Sequence, residues 1–495
     1  MLGKKLGKGT FGDVSEYCHE NKTYAAKRKP DEFAIRKVKD KDDLYGIQND
    51  TLAEFDVYTN MPPFKFILPA TDAIVSGNDL YEIIPLMSGS LDELKNISPN
   101  LNTVLLVTKQ IFEGLQWMHT HGYVHCDFKP ANVLYNKKQS CIKIADFGAC
   151  QRWKDGWPNL TDSIKTPITA SPEQYLQSNF NSKSDVWSAG CTIYEFYTGK
   201  NILNYFSEKY PQNKTHQIYK RFMQGWIGWD NLSKSMFDVP EVKRFSEYMN
   251  YMKEIDINAE NQNIFMILDS MIKPNPNHRQ TFEELLMNYS DILQNYPTDK
   301  IVCEGLEESS VTTDGKQRCN KGFSDKPSFF PIKYIDMTFD YKQEQYVTPE
   351  FRKECCVYAY QIFDKYNSDK LIDAIPVFFN AIWILDYLFY TENINATLEE
   401  FKRVIETALT LSTKRAFVNR GRHLYSDNYT VEYERDIFAI MKGHVSCPQK
   451  FNPYGQIITS NNDHYQLFIE VAQTLCESDN WRDVWYRTGT GTLLN

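Results

Sequence analysis

The stretch His125-Cys126-Asp127-Phe128-Lys129-Pro130-Ala131-Asn132, followed by Asp146-Phe147-Gly148, decides how this chain is read. It spaces two carboxylates, an ammonium and an amide, and each has a task in moving a phosphoryl group. Asp127 can orient a hydroxyl and Lys129 can neutralise charge building on the transferring group, while Asn132 and Asp146 offer the hard oxygen ligands that Mg²⁺ requires. Alone, Asp146-Phe147-Gly148 would be a turn after a buried strand, Ile142-Lys143-Ile144-Ala145. Its neighbours give it more weight.

Near the N-terminus, Leu6-Gly7-Lys8-Gly9-Thr10-Phe11-Gly12-Asp13-Val14 reads Gly-x-Gly-x-x-Gly-x-Val. A dinucleotide-binding turn with these glycines would open a helix, but Val14-Ser15-Glu16-Tyr17-Cys18 reads as strand, so a hairpin over phosphates is expected. Glycine lets the backbone approach phosphates with no Cβ in the way and present its N–H groups. A strand carrying Tyr24-Ala25-Ala26-Lys27 comes next. Asp50 to Tyr58 has apolar residues at helical spacing, with a cap expected at Asn49 or Asp50. Glu54 and Asp56 would face about 200° apart at about 100° per residue, so only one of them can point at Lys27.

In order and spacing these motifs resemble those of protein kinases. The resemblance implies an α+β, bilobal fold over residues 1–295, with a small mostly β N-lobe and a large mostly α C-lobe. It implies ATP with Mg²⁺ or Mn²⁺ as cofactors, Asp127 and Lys129 as catalytic residues, and Asn132 and Asp146 as metal ligands. Lys27 becomes the lysine that contacts the α- and β-phosphates, paired with Glu54. Leu80 to Met87 resembles the strand and hinge joining the lobes, with Ile84 at the gatekeeper position. The Pro85 carbonyl and the Met87 N–H would then meet adenine, and Ala25 and Leu134 join the nucleotide-binding set with residues Leu6 to Val14. Thr166-Pro167-Ile168-Thr169-Ala170-Ser171-Pro172-Glu173 resembles the end of an activation segment, with Ser171 where alanine is usual. By the same resemblance Glu173 and Arg279 form a buried ion pair and Asp185 holds the catalytic-loop backbone. Lys129 and Thr166 point to Ser/Thr specificity. Cys126 departs from the family pattern, since many kinases have there an arginine that reads an activation-loop phosphate, and a thiol makes no bidentate phosphate contact. Phosphorylation of Thr161 or Ser163 would then not order the loop through this position, and control is expected elsewhere.

At 495 residues the chain is too long for one ordinary domain, and its net charge of −9 gives no general argument for a nucleic-acid or membrane partner. Its 11 cysteines are scattered without metal spacing: Cys303 and Cys319 have no partner motif, Cys355 and Cys356 lie in an apolar helical stretch, and Cys150 reads as a packed small residue. Free thiols in a reducing compartment are expected. With the glycine loop starting almost at Met1, no signal peptide is expected. The Asn-x-Ser/Thr matches are then by-products of an asparagine-rich composition, and the protein is expected to be soluble and intracellular, in the cytoplasm or nucleus, of a host cell if it is viral. Richness in Asn, Lys, Ile and Tyr suits an AT-rich genome. Ala374 to Tyr390 is the most apolar run; short for a bilayer span and containing Asn380 and Asp386, it reads as a buried helix.

Periodicity fades over residues 296–344, most of all at Glu307 to Gly315, and a linker is expected there. Beyond it, residues 345–495 read as an all-α domain with helices near Pro349 to Tyr366, Ala374 to Thr391, Leu398 to Lys414 and Val431 to Lys442. Their order resembles the cyclin box at Arg352, at Ile384-Leu385-Asp386-Tyr387-Leu388, at Leu411-Ser412-Thr413-Lys414 and at Tyr433 to Phe438 with Cys447-Pro448. That resemblance makes Lys414 and Glu434 candidate docking residues and implies an intramolecular contact that presses on the helix carrying Glu54. A flexible tether of about 50 residues would reach roughly 40 Å, enough for such docking. The alternative reading is a kinase-fold scaffold whose cyclin-like module recruits another kinase. Retention of Lys27, Asp127 and Asp146 favours an enzyme acting on Ser/Thr hydroxyls of protein substrates.

Overall fold

Strand-forming runs at the N-terminus build a six-stranded antiparallel sheet in the order Leu2–Gly9, Gly12–His19, Lys22–Lys29, Asp79–Pro85, Asp72–Ser76 and Ser328–Pro331. The computed structural model describes residues 2–9, 12–33, 35–36, 44–94, 99–155, 160, 166–175, 180–201, 262–273, 275–294, 328–332, 347–370, 374–392, 394, 396–416, 431–448, 452–459, 463–478, 484–485 and 487. The chain divides into two units, one of Met1–Pro63, Pro69–Leu86 and Asp314–Asn495, the other of Phe64–Leu68 and Met87–Thr313.

In the first unit the two-residue period of a strand sorts the side chains between faces. Tyr17, Ala26, Ile74, Tyr81 and Ile83 pack on one face with Leu2 and Tyr24 at its margin. Lys27 belongs to the alternate set, and the register puts it opposite Val14 on one neighbouring strand and Glu82 on the other. The Asn49–Asn60 helix has its N-cap one residue before the expected Asn49 or Asp50. Gln48 is its N-cap and makes no side-chain cap bond; instead the buried Glu32 carboxylate accepts from the Gln48 N–H (2.5 Å) and Asp50 accepts from Thr51 N–H (3.0 Å). A carboxylate from a preceding turn has done the work that a local cap does elsewhere.

Part of the stretch read as a linker is built into this sheet. Ser328–Pro331 pairs with Asp72–Ser76, Phe330 opposite Ala73, and Phe330 is buried. Four residues are too few for a periodicity signal, and their strand is specified by the open edge they cover. The N-terminal sheet and the C-terminal helices therefore share one unit, which differs from the expected separation of residues 1–295 from 345–495.

The C-terminal helices run Pro349–Tyr366, Ile375–Thr391, Leu398–Ala416 and Val431–Ile440, as the periodicity predicts, followed by Tyr454–Thr459 and His464–Glu477. Thr348 caps the first through Phe351 N–H (3.2 Å), with Pro349 in the first turn where a missing N–H costs nothing. Ile375–Thr391 is buried almost all round and holds one charge, Asp386, which receives Arg352 through two bonds (2.6 and 2.9 Å) and Trp485 Nε1 (2.9 Å). A buried carboxylate so fully bonded fixes how the first two helices and the Trp485 segment meet. Among the described residues no helix is long and apolar enough to cross a membrane.

In the second unit the Leu101–Thr120 helix, capped by Asn100 through Thr103 N–H (2.8 Å), packs beside the Lys183–Thr198 and Phe282–Asn288 helices. Val133–Asn136 pairs with Cys141–Ile144, register Val133 to Ile144. This ladder sets Asn132 and Asp146 at its same end.

Candidate active site

Four ionisable side chains converge in the first unit. Lys27 Nζ donates to Glu54 Oε1 (2.5 Å), and Lys29, two residues along the same strand, binds Glu54 Oε2. Glu82 lies behind them, its Oε1 3.4 Å from Lys29 Nζ and its Oε2 4.0 Å from Lys27 Nζ. Lys29, Glu54 and Glu82 are buried, and Lys27 alone keeps appreciable exposure, 15 % of its side chain. Burial by itself would make all the charged forms unfavourable. Against that penalty Lys27 and Lys29 hold the Glu54 carboxyl well below the usual carboxylate range. Burial, and then the Glu54 charge, push the Glu82 carboxyl up to about 8. Burial works to lower the Lys29 ammonium, but Glu54 and Glu82 more than offset it and hold it above its ordinary value.

Asp56 points the other way, as the angular argument requires. Arg415 reaches it from the Leu398–Ala416 helix through Nη2 (2.5 Å) and Nε (3.1 Å), and Asn60 Nδ2 donates to its other oxygen (2.8 Å). Asn60 also donates to the Ser446 carbonyl (3.1 Å). Phe438 sits among Phe55, Phe330 and Phe33, with ring centroids 4.8, 5.9 and 6.2 Å away. Gly443, with φ of +80°, lies so close to Phe55 that any Cβ would overlap the ring. Lys414 and Glu434, expected as docking residues, pair with each other in the interior (2.7 and 2.9 Å), and the neighbouring Arg415 is the cation that meets Asp56 on the Asn49–Asn60 helix.

In the second unit the catalytic-loop motif is held by its backbone. Asp185 accepts from His125 N–H (2.8 Å) and Cys126 N–H (3.0 Å), and His119 Nε2 lies 2.9 Å from the same carboxylate. His125 packs against Phe128 and Phe147 and contacts the Ala145 carbonyl (3.1 Å). Lys129 Nζ bridges Asp127 Oδ2 (2.6 Å) and Thr166 Oγ1 (2.9 Å). Asp127 Oδ1 is buried with no hydrogen-bond partner among the described residues. Asn132 Nδ2 donates to the Asp127 carbonyl (3.0 Å), so the remaining function of that amide is its acceptor oxygen. Asp146 takes a left-handed backbone, φ +65°, a conformation that costs a non-glycine residue energy and recurs at functional sites. An amide oxygen and a carboxylate at one end of a ladder fit Mg²⁺, which takes few protein ligands and fills its other positions with water and phosphate oxygens.

The expected supports are present. Arg279 and Glu173 form a two-bond buried pair (2.6 and 2.9 Å). Cys126 also has φ of +65°; its thiol bonds the Val124 carbonyl (3.4 Å), and Gln174 Nε2 donates to the Cys126 carbonyl (3.2 Å) while Ser171 Oγ holds Gln174 Oε1 (3.1 Å). The unusual Ser171 thus tethers the end of the activation segment to the catalytic loop.

Of the remaining nucleotide-binding candidates, Gly7, Lys8, Gly9 and Gly12 lie in the first two strands, and Leu6 and Asp13 are on their surface, Asp13 paired with Lys5 (2.8 Å). Ala25 is buried opposite Ile84, Pro85 stands opposite Tyr24, and Leu134 pairs with Ser90 and Lys143. Thr10, Phe11, Thr161, Ser163, Cys303, Cys319 and Glu307 to Gly315 lie outside the described residues. Cys141, Cys191, Cys355, Cys356 and Cys476 are free thiols and Cys150 is buried, but Cys18 is disulfide-bonded, contrary to the expectation of free thiols throughout. A disulfide needs only that two Cβ atoms approach within about 4 Å, which sequence spacing does not reveal. Sequence reading also passed over Lys29 and Glu82. Lys29 shares the period-two face of Lys27 and was findable; Glu82 carried no local signal.

Comparison with known proteins agrees with this geometry. Residues 1–289 match the model of the protein kinase domain. Mitogen-activated protein kinase kinase kinase 3 of Arabidopsis thaliana is 38 % identical over 139 residues, 27 % of this chain and 20 % of the relative. Serine/threonine-protein kinase pakE of Dictyostelium discoideum is 28 % identical over 202 residues, 40 % of this chain and 20 % of the relative. Cyclin-dependent kinase 4 homolog of Caenorhabditis elegans is 30 % identical over 210 residues, 40 % of this chain and 49 % of the relative. The chain thus spans at most about half the length of these curated relatives. With the domain model covering more than half of its residues, the chain belongs to the protein kinase family.

Proposed function

We propose that this kinase transfers the γ-phosphate of Mg-ATP to serine and threonine hydroxyls of protein substrates. The observation that carries the reading is the buried, unpartnered Asp127 Oδ1 beside an Asp127 Oδ2 held by Lys129. Such a carboxylate can accept a substrate hydroxyl's hydrogen bond and align its oxygen for attack, while Lys129 offsets negative charge on the transferring group. The bond from Lys129 to Thr166 Oγ1 (2.9 Å) supports the Ser/Thr reading, and two relatives are named as serine/threonine or cyclin-dependent kinases. Asn132 and Asp146 would hold the metal, which when bound neutralises phosphate charge. Lys27 would orient the α- and β-phosphates. The test is γ-phosphate transfer to a Ser/Thr peptide library by wild type and Asp127→Asn; a loss of at least about 100-fold is expected, and equal signal from both sinks the mechanism.

We also infer that the C-terminal helices, read as cyclin-like, act in cis by fixing the helix that carries Glu54. What supports this is the seating of Arg415, Phe438 and Gly443 on that helix, together with the Arg352–Asp386 pair at two places of the cyclin-box resemblance. Phe438→Ala in the full chain should reduce phosphotransfer by about tenfold or more. Wild-type turnover in that variant would remove the cis role. A point substitution is preferred to truncation because Ser328–Pro331 belongs to the sheet.

A further inference from the structure

Lys29 and Glu82 have no task in phosphoryl transfer as described above, yet both are ionisable and buried. Aliphatic side chains would fill these places without the desolvation that an ammonium and a carboxyl suffer, so the pair calls for a reason. Its geometry supplies one. Each oxygen of Glu54 has its own ammonium, Lys27 on Oε1 and Lys29 on Oε2, and Glu82 stands beside Glu54, 3.4 Å from Lys29 and 4.0 Å from Lys27. A single lysine serving both a buried glutamate and the phosphates of a nucleotide must divide its charge between them. Here the glutamate keeps a second cation.

We propose that Lys29 and Glu82 are positioning residues for the nucleotide: Lys29 keeps Glu54 paired while Lys27 turns to the phosphates, and Glu82 holds Lys29 in place. The inference rests on the reading of Lys27 as the phosphate ligand. It carries a pH dependence whose sign follows from counting charge. With Glu82 protonated, two ammoniums face one carboxylate and the cluster is positive; with Glu82 ionised it is neutral and attracts phosphate less. The groups around Glu82 within this unit are Lys27 and Lys29 on the adjoining strand, Glu54 and more distantly Asp50 on the helix, and Glu32 in the turn near Lys29; the strand on its other side presents Ala73. The KM for ATP should therefore rise on the alkaline side.

The experiment uses the full chain. Mg-ATP binding by calorimetry, and kcat and KM for ATP, are measured from about pH 6 to about pH 9 for wild type, Lys29→Met, Lys29→Arg and Glu82→Gln. Lys29→Met should raise the KM for ATP by about tenfold or more with a smaller change in kcat, and Lys29→Arg should recover most of the loss. Glu82→Gln, which cannot ionise, should flatten the alkaline rise in KM. A wild-type KM in Lys29→Met, or a wild-type pH profile in Glu82→Gln, overturns the inference and leaves ATP use intact. Failure of the wild type itself to bind Mg-ATP removes both the inference and the reading beneath it. Should Lys29→Met not fold, the Glu82→Gln profile decides: flat supports the inference, wild-type-like overturns it.

Discussion

The two faces of the Asn49–Asn60 helix each bury one carboxylate, and their surroundings give them opposite uses. Glu54 faces the sheet and meets two ammoniums from one strand; Asp56, two residues on, faces the C-terminal helices and meets the Arg415 guanidinium. Both are fully or nearly fully buried, so burial does not distinguish them. What differs is the partner. The two cations are about equally exposed, 15 % and 12 % of their side chains, but Lys27 shares Glu54 with Lys29 and bonds one of its oxygens, whereas Arg415 is held on Asp56 by two donors and joins helices. A buried acid in a kinase helix is thus a functional marker only once its partner is known.

The comparison can be broken at several points, the first with the largest effect. Glu54→Gln leaves Lys27 and Lys29 without their shared anion; it should cost about 3–5 kcal/mol in denaturant unfolding and reduce phosphotransfer by at least about 100-fold. Phe438→Ala removes the ring that Phe33, Phe55 and Phe330 surround and should destabilise the first unit by about 3 kcal/mol or more, read by the same unfolding assay. On the Asp56 side, a double-mutant cycle of Asp56→Asn and Arg415→Met should return a coupling of about 1–3 kcal/mol. A coupling near zero would mean that the aromatic cluster alone seats the helices.

Titration should separate these buried groups by the direction in which each loses its contribution. The Glu82 carboxyl is raised on folding, so its contribution is full below the ordinary carboxyl range and is lost as pH rises towards about 8. Glu54 is depressed, so its contribution is present above that range and is lost in acid. Burial, with Lys442 adding to it, pushes the His444 imidazole down to about 4, so its contribution is present above the ordinary imidazole range and disappears as pH falls towards 4. Unfolding midpoints across pH should accordingly fall at both ends, and Glu82→Gln should remove part of the alkaline fall alone.

Much of this was legible in the order of residues. The Glu173–Arg279 and Asp185 supports, which join residues 106 and 60 positions apart, were expected only from the family resemblance, whereas the chemistry of the catalytic loop, the Asp146 turn and four C-terminal helices were legible because residue type and periodicity act within one element. The angular separation of Glu54 from Asp56 was legible for the same reason, since it depends only on helical pitch. The strand Ser328–Pro331 and the tether of Gln174 to Cys126 were not, because each depends on a partner far along the chain.

The division is therefore physical. By itself the sequence determined which groups exist to move a phosphoryl group, and on which local elements they ride, since φ/ψ preference and apolar period act over a few residues. Only the tertiary structure decided what those groups face. Arg415 meets Asp56 across 359 positions of sequence and Asn60 meets Ser446 across 386, and no local rule selects such pairs. They are chosen when buried charges and rings must find partners at once, in a space that excludes water.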